Sequence, residues 1–306
     1  MRIAAAQARC PWLDPAAGTA KVLDLLGKAA ADNVELLAFP ETFLSGYPFW
    51  VEHTGGARFN DPEQKRAYAA YLDAAVELDG PELRTVTEAV RDLGVFTYLG
   101  ITERARGTVY CTLVAISPEQ GVVGAHRKLM PTHEERLVWG SGDGHGLRVH
   151  RVGGLNVGGL NCWENWMPLA RQALYAQGED VHVSVWPGST RLTTDITRFI
   201  AMEGRVYSLA AGALFSYADL PSGFPFRDEL AERGSRCDGG SAIAGPDGEW
   251  IVPPVSGEER LVIADADPAV VRGERQSFDP VGHYSRGDVF RVEVDRRRLS
   301  PARFLD

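Results

Sequence analysis

The sequence is poor in cysteine and has no long apolar run. Its four cysteines are widely spaced and include no Cys-x-x-Cys pair: Cys10, Cys111, Cys162 and Cys237. This pattern excludes a disulfide-dense scaffold and favours free thiols in a reducing compartment. No stretch reaches the roughly 18 uninterrupted apolar residues of a membrane span, and the first residues lack the apolar core of a signal peptide. We therefore expect a cytoplasmic protein without a membrane partner.

Positive charge is also scarce. The chain carries 41 acidic and 32 basic side chains, giving a formal charge of −9, whereas a nucleic-acid binder normally has the opposite balance. We therefore expect no nucleic-acid partner. The one dense basic run, Arg296 to Arg298, is interpreted as a solvated tail. Only four of the basic side chains are lysines, which makes each lysine informative.

Several familiar catalytic motifs are missing. There is no GxSxG elbow, GxxxxGK[ST] loop or HExxH helix. The glycines of residues 139–146 lack the GxGxxG spacing and indicate a tight loop instead of a phosphate cradle. The seven histidines form no metal-ligand spacing with the cysteines, so we predict no metal site and no cofactor.

What the sequence does contain is an alternation of short apolar strands and amphipathic helices, typical of layered α/β proteins. We predict helices over 15–32, from Pro81 to a Gly94 cap, over 168–177 and over 193–207. The predicted strands are 2–7, 34–39, 95–101, 109–116, 121–125, 147–152, 155–160, 181–186, 213–216, a hairpin over 241–252, and 260–267. With no linker or repeat, we read one domain in which two sheets lie between helices.

Glu41 is the first candidate for chemistry, because it comes directly after a buried strand and a proline. Next to Leu37, Phe39 and Phe43 its carboxyl should be partly desolvated, which favours the protonated form and suits a general base near neutral pH. Alternatively, Glu41 is a solvated loop acid.

Lys128 is the second candidate, at the end of another strand. A confined ammonium can stabilise the negative charge that develops when a polarised carbon is attacked. In isolation, a surface lysine extending from a strand end explains it as well. Glu135, seven residues later, either orients that lysine or is an exposed helix residue.

Cys162 is the third candidate, at the end of the Gly-rich strand VGGLN. A thiol there becomes a nucleophile once a neighbouring base or cation favours the thiolate, and the peptide N–H of Trp163 could serve as an oxyanion donor. The alternative is a buried cysteine acting as a small apolar residue, the interpretation we give to the other three.

Three segments, FPETFLSGYP, HRKLMPTHEERLVWGSGDG and GGLNCWENWMPLAR, resemble the catalytic segments of the nitrilase (carbon-nitrogen hydrolase) superfamily. The resemblance covers residues 2–290, and Trp163 and Glu164 after the cysteine resemble the true nitrilase branch. It implies a four-layer αββα sandwich whose protomers pair into αββααββα, with the segment WMPLARQALYAQG near the interface.

The resemblance also implies roles. Cys162 would be the nucleophile, Glu41 the general base, Lys128 the electrostatic stabiliser, and Glu135 the acid that positions the lysine or the substrate. The reaction would be hydrolysis of a nitrile with water. We expect substrate contacts from a further set of residues, any of which could instead be core: Tyr47, Trp139, Trp163, Glu164 and Trp186.

The domain is expected to span 1–290, followed by a short tail at 291–306. Many filament-forming nitrilases have an extended C-terminal tail, so we expect a homodimer or small even-numbered homo-oligomer. Two other functions stay open: hydrolysis of an amide, carbamoyl compound or cyanide by the same residues, and a catalytically silent scaffold or sensor on the same fold.

Overall fold

A computed structural model describes residues 1–233, 235–300 and 302. Its strands are β1 Arg2–Gln7, β2 Leu36–Ala38, β3 Phe96–Ala105, β4 Thr108–Ser117, β5 Gly121–Arg127, β6 His150–Val152, β7 Leu155–Asn161, β8 Val181–Trp186, β9 Tyr207–Gly212, β10 Leu214–Ser216, β11 Ser235–Ala244, β12 Trp250–Ser256 and β13 Arg260–Asp265. Its α-helices are α1 Pro15–Ala31, α2 Pro62–Ala74, α3 Pro81–Leu93, α4 Pro168–Tyr175, α5 Thr190–Gly204, α6 Arg227–Ala231 and α7 Pro268–Glu274. Short 3-10 turns at His133–Leu137 and Cys162–Trp166 are important for the site.

The described strands form two mixed sheets. The first sheet has the order β13-β1-β2-β3-β4-β5, and the second has the order β10-β11-β9-β8-β7-β6 with β12 paired to β11. The central pairs β1–β2, β2–β3, β7–β8 and β8–β9 are parallel, and the edges are antiparallel. This confirms the predicted pair of sheets with antiparallel neighbours.

The period-two pattern of the strands produces the layers. In β1, Ile3 and Ala5 face the second sheet and pack in the core between the sheets, while Ala4 and Ala6 pack under α1 and α3. On the outside of the second sheet, α4 and α5 cover its other face. The molecule is therefore an αββα sandwich, as predicted.

Several predicted elements need correction. The helix predicted at 193–207 is α5, which begins at Thr190 and ends at Gly204; Arg205 adopts a left-handed conformation (φ 49°), and the chain then forms β9, which the sequence did not predict. The strand predicted at 147–152 is only β6, because the amides of Leu147 and Arg148 donate to carbonyls of a 3-10 turn at Gly144–Gly146 instead of to a neighbouring strand. Helices α2, α6 and α7 were also missed.

The basic run near the C-terminus is not wholly solvated. Arg298 donates to Asp143 Oδ1 at 3.1 Å and to the Ala125 carbonyl at 2.8 Å, and the Leu299 amide donates to Asp143 Oδ2 at 2.8 Å. This part of the predicted tail lies against the loop after β5. Residues 301 and 303–306 of the tail lie outside the described residues. Within the described chain, no helix combines the length and apolar character needed to cross a bilayer.

Candidate active site

The three candidate side chains meet where strands of both sheets end. Glu41 comes shortly after β2 and Lys128 directly after β5, both in the first sheet, while Cys162 directly follows β7 in the second. One oxygen each of Glu41 and Glu135 and the sulfur of Cys162 lie within 4.8 Å of one another. Because carboxyl ends of neighbouring strands meet at one edge of an α/β sheet, such ends are where sites assemble.

Two close backbone contacts fix Glu41. A side chain at Gly100 of β3 would collide with the Pro40 carbonyl at 2.1 Å, so a glycine there is needed for Glu41 to lie against the strand. The Glu41 amide donates to the Trp186 carbonyl at the end of β8 (3.3 Å). The base is therefore attached to both sheets.

Lys128 lies between two carboxylates with its side chain fully buried. Its Nζ donates to Glu41 Oε1 at 3.0 Å and to Glu135 Oε2 at 2.7 Å. The indole of Trp139 adds a cation–π contact, with its centroid 5.3 Å from Nζ. The distances would also allow the two acids and the cysteine to ligate a metal, but the ammonium already supplies the positive charge between the carboxylates.

Glu135 is buried in the 3-10 turn after Lys128, so it is not the exposed helix residue that was one of its two interpretations. Its side chain closes a capping box with Thr132, whose amide donates to Oε2 at 2.6 Å. The Tyr47 hydroxyl donates to Oε1 at 2.8 Å. These contacts orient the carboxylate that holds Lys128.

Cys162 opens a 3-10 turn in a strained conformation. Its φ of 49° lies in the left-handed region, which costs a non-glycine residue about 1–3 kcal/mol. The Trp163 amide acts on the sulfur and lowers the pKa of the thiol, and the Asn165 side chain donates to the Cys162 carbonyl at 2.8 Å. The Asn165 amide oxygen in turn accepts from His182 and Ser184 of β8. Sequence reasoning did not find this support.

Burial and charge set the protonation of the three groups. Desolvation raises the pKa of Glu41 from 4.5 to about 7, although Lys128 opposes the rise. Burial alone disfavours the Lys128 ammonium, but the charges of Glu41, Cys162 and Glu135 outweigh it and raise the lysine pKa well above 10.5. Desolvation, together with the charge of Glu41, also raises the pKa of Cys162 well above 9.0. The resting site therefore holds a thiol beside a carboxyl that titrates near neutrality.

A cavity of about 490 Å³ opens above the sulfur. Of the residues expected at the site, Tyr47, Glu135, Cys162 and Trp163 line it. The wall also contains Phe49, Pro187 and Leu192, and charged side chains that the sequence did not single out: Glu52, Glu134 and Arg191. The lining is therefore mixed, apolar on part of the wall and polar on the rest.

Three residues that the sequence analysis expects at the substrate do not line this cavity: Trp139, Glu164 and Trp186. Trp139 packs edge-on against Tyr47 and donates to the Tyr71 hydroxyl, behind the wall. Trp186 is fully buried beneath helix α5. The Glu164 carboxylate is committed to His126 and to two backbone amides. All three contribute to packing or positioning.

Cys111 is a neighbour of the base that we had assigned to the core. Its sulfur lies 3.3 Å from Glu41 Oε1, and burial raises its pKa well above 9.0, so it donates as a thiol. Glu41 Oε2 has no hydrogen-bond partner among the described residues. Both donors therefore act on one oxygen, which leaves the other available. Finding Cys111 required the register of β4 against β5, which the sequence alone does not supply.

Sequence comparisons identify related proteins. A family profile described as carbon-nitrogen hydrolase matches residues 2–276. Nitrilase 2 from an unknown prokaryotic organism is 39% identical over 306 residues, covering 98% of this chain and 94% of the relative. An aliphatic nitrilase from Rhodococcus rhodochrous is 33% identical over 316 residues, covering 98% of this chain and 84% of that one.

Solved structures share the fold. A carbon-nitrogen hydrolase superfamily protein from Xanthomonas campestris with an arsenic adduct in its active site superposes with a TM-score of 0.69 at 19% identity, covering 91% of this chain and 94% of that chain. An amidase of the nitrilase superfamily from Nesterenkonia gives a TM-score of 0.65 at 21% identity, covering 90% of this chain and 94% of that one. At these identities the likeness establishes the architecture alone.

Proposed function

The chain belongs to the nitrilase branch of the carbon-nitrogen hydrolase family, as its sequence resemblance predicted, and we propose that it hydrolyses an organic nitrile to the carboxylic acid and ammonia. The observation that carries the proposal is the meeting of a thiol that lines the cavity with a buried ammonium and a buried carboxyl that titrates near pH 7. The nitrilase relatives point to a nitrile as the compound whose carbon the thiol attacks.

In the proposed mechanism, Glu41 accepts the thiol proton as Cys162 attacks the nitrile carbon, and the proton passes to the nitrogen to give a covalent thioimidate. Glu41 then activates a water molecule that adds to the same carbon, and ammonia leaves. A second water hydrolyses the resulting thioester and regenerates the thiol. Overall, one nitrile and two waters give one acid and one ammonia.

The developing charge needs donors. Lys128 and the Trp163 amide are placed beside the sulfur and would stabilise the tetrahedral intermediates. One such donor is typically worth about 3–4 kcal/mol of barrier. Glu135 and Tyr47 hold the lysine in place, and no cofactor takes part in the proposed reaction.

The test compares a nitrile with its matched amide and with cyanide, by measuring ammonia released by the purified protein. We expect the nitrile to be the fastest, and a covalent adduct on Cys162 to appear by intact mass spectrometry. Faster release from the amide or from cyanide would reject the proposal, as would undiminished turnover in Cys162→Ala. Absence of both turnover and adduct would indicate a silent scaffold.

We also propose that the protein is a cytoplasmic homodimer or small even-numbered homo-oligomer, with a domain over 1–290 and a tail over 291–306. The support for pairing is an apolar face on α4 and α5 and the turn before them, made of exposed side chains: Trp166, Met167, Leu169, Phe199 and Met202. Leu169→Glu should yield monomers in size-exclusion chromatography with light scattering. Megadalton particles of the unaltered protein would overturn the assignment.

A further inference from the structure

The Glu164 carboxylate joins three places in the chain. It is 1% exposed and contacts His126 Nε2 at 3.1 and 3.2 Å. The Asn161 amide donates to Oε2 at 3.0 Å, and the Leu129 amide donates to Oε1. Because a carboxylate only accepts hydrogen bonds, Nε2 of His126 carries the proton. Both oxygens are therefore occupied, and neither is free for a ligand.

The donors flank the reacting groups. Leu129 directly follows Lys128, and Asn161 directly precedes Cys162. His126 belongs to β5 of the first sheet, and Asn161 ends β7 of the second. One side chain thus ties the strand end that presents the ammonium to the strand end that presents the thiol.

Glu164 also closes the turn on which the thiol is displayed. The Glu164 side chain accepts from the Asn161 amide at 3.0 Å, which is the carboxylate arm of a capping box over Cys162–Trp166. Cys162 sits inside this box with its φ of 49°. A left-handed non-glycine residue persists only where its surroundings hold it, and the capping box is part of that support.

We propose that Glu164 is a positioning residue that sets the location of the Cys162 sulfur relative to the Lys128 ammonium. The proposal rests on the proposed function, since it assigns those two groups their roles. It also replaces the expected substrate contact of Glu164 with an action through the backbones on either side of the two reacting residues.

The experiment uses Glu164→Gln in the full-length protein. Glutamine keeps the size, but its NH₂ group must face a donor that the carboxylate accepted from, so at least one of the three ties is lost. The matched control is Glu103→Gln, because Glu103 is another buried carboxylate, bonded to Arg127 and Thr112, with no contact to the nucleophile's turn.

Two readouts separate positioning from bulk stability. One is the kcat and KM for a nitrile; the other is the rate at which iodoacetamide alkylates Cys162, located by peptide mass spectrometry across pH 6–9. We expect Glu164→Gln to lower kcat at least tenfold, to change KM less than threefold, and to alter the alkylation rate at least fivefold. Glu103→Gln should keep both rates within twofold even where its melting temperature falls.

The contrary results are equally specific. A lower melting temperature with kcat and alkylation rates matching those of Glu103→Gln would overturn the proposal, and a rise in KM alone would return Glu164 to substrate contact. If Glu164→Gln does not fold, His126→Leu removes one donor and should lower kcat two- to fivefold; an unchanged rate counts against the proposal. Because alkylation of Cys162 needs no nitrile, it still tests the positioning role of Glu164 when the unaltered protein does not hydrolyse nitriles. Failure of the proposed function is therefore distinguishable from failure of this proposal.

Discussion

Glu41 and Glu164 are equally buried, yet the pKa values of their carboxyl groups shift in opposite directions. Desolvation raises the pKa of Glu41 to about 7. For Glu164 desolvation also acts upward, but the charge of His126 and hydrogen bonds from His126, Leu129 and Asn161 outweigh it, and the pKa falls below 4.5. Burial alone therefore does not decide whether a carboxyl is a base or an anchor.

What differs is how the donors are distributed. At Glu41 both Lys128 and Cys111 reach Oε1, and Oε2 has no partner among the described residues. At Glu164 both oxygens accept, and two of the donors are backbone amides that cannot move away. An unsatisfied buried oxygen makes proton uptake favourable, whereas a satisfied one makes the anion a fixed structural element.

The largest expected effect comes from removing the titrating carboxyl. Glu41→Gln keeps the shape but cannot take the thiol proton, so kcat/KM should fall about 10²- to 10⁴-fold, the usual value of a general base. Ammonia release with a nitrile measures it, and circular dichroism shows that the fold is kept. Glu164→Gln should be less impaired; equal losses would erase the distinction between base and anchor.

The next effect concerns stability. Lys128→Met leaves Glu41 and Glu135 facing each other without their cation, and breaking a buried pair in this way should cost about 3–5 kcal/mol of unfolding free energy. Urea denaturation measures the loss. Lys21→Met is the matched control, because its pair with Glu259 is partly exposed and should contribute at most about 1 kcal/mol. If both variants lost a similar amount of unfolding free energy, the buried ion pairs of Lys128 would not stabilise the fold more than an exposed pair does.

The pH dependence of stability should separate the two carboxyls by sign. Because the pKa of Glu41 is raised in the folded protein, this carboxyl stabilises the fold below pH 4.5, and the stabilisation is lost as pH rises to about 7. Over that interval the unfolding free energy of Glu41→Gln should therefore rise by roughly 3 kcal/mol relative to that of the unaltered protein. The lowered pKa of Glu164 means that its contribution is present above pH 4.5 and lost below it. The Glu164→Gln deficit should therefore stay constant above pH 4.5 and shrink in more acidic buffer.

Urea midpoints at pH 4, 5, 6, 7 and 8 test both slopes on the same three proteins. If stability depended on pH in the same way in both variants, the pKa values of Glu41 and Glu164 would not shift in the opposite directions that their hydrogen-bond donors indicate. A Glu41→Gln curve that stayed parallel to that of the unaltered protein between pH 5 and 7 would contradict the raised pKa of Glu41 directly.

The sequence was sufficient to place the candidate residues at strand ends, but not to identify the groups that contact them. Glu41, Lys128 and Cys162 each follow an apolar run that is too short for a helix, so their place at strand ends could be predicted. The sequence did not reveal the partners of the Glu164 carboxylate, because they come from both sheets. No local sequence pattern shows that the backbone amides of Leu129 and Asn161 donate to the same carboxylate.

The errors in secondary structure also have physical causes. The helix predicted to reach residue 207 ends earlier because Arg205 adopts a left-handed conformation, which its residue type does not signal. The missed helix α2 has a weakly apolar face, although Asp61 and Pro62 form an N-terminal cap that was readable. Strand β9, whose sequence is YSLAAG, resembles a buried helical segment as much as a strand.

The smallest effect probes the weakest donor to the base. The Cys111 thiol lowers the pKa of Glu41, so Cys111→Ala should move the acid limb of the kcat/KM profile upward from about pH 7, by at most about one unit. Cys111→Ser keeps a donor and should restore the limb.

Cys10→Ala is the control for this shift, since that thiol donates to the Phe43 carbonyl and not to the base. A pH–rate profile from pH 5 to 9 at low nitrile concentration measures the midpoint in all three variants. Because ionised Glu41 is the active form, an upward shift lowers the rate at pH 6 by up to about tenfold and leaves the rate at pH 9 nearly unchanged. If Cys111→Ala and Cys10→Ala gave the same midpoint, the Cys111 thiol would not tune the base, and Lys128 alone would set the charge on Oε1.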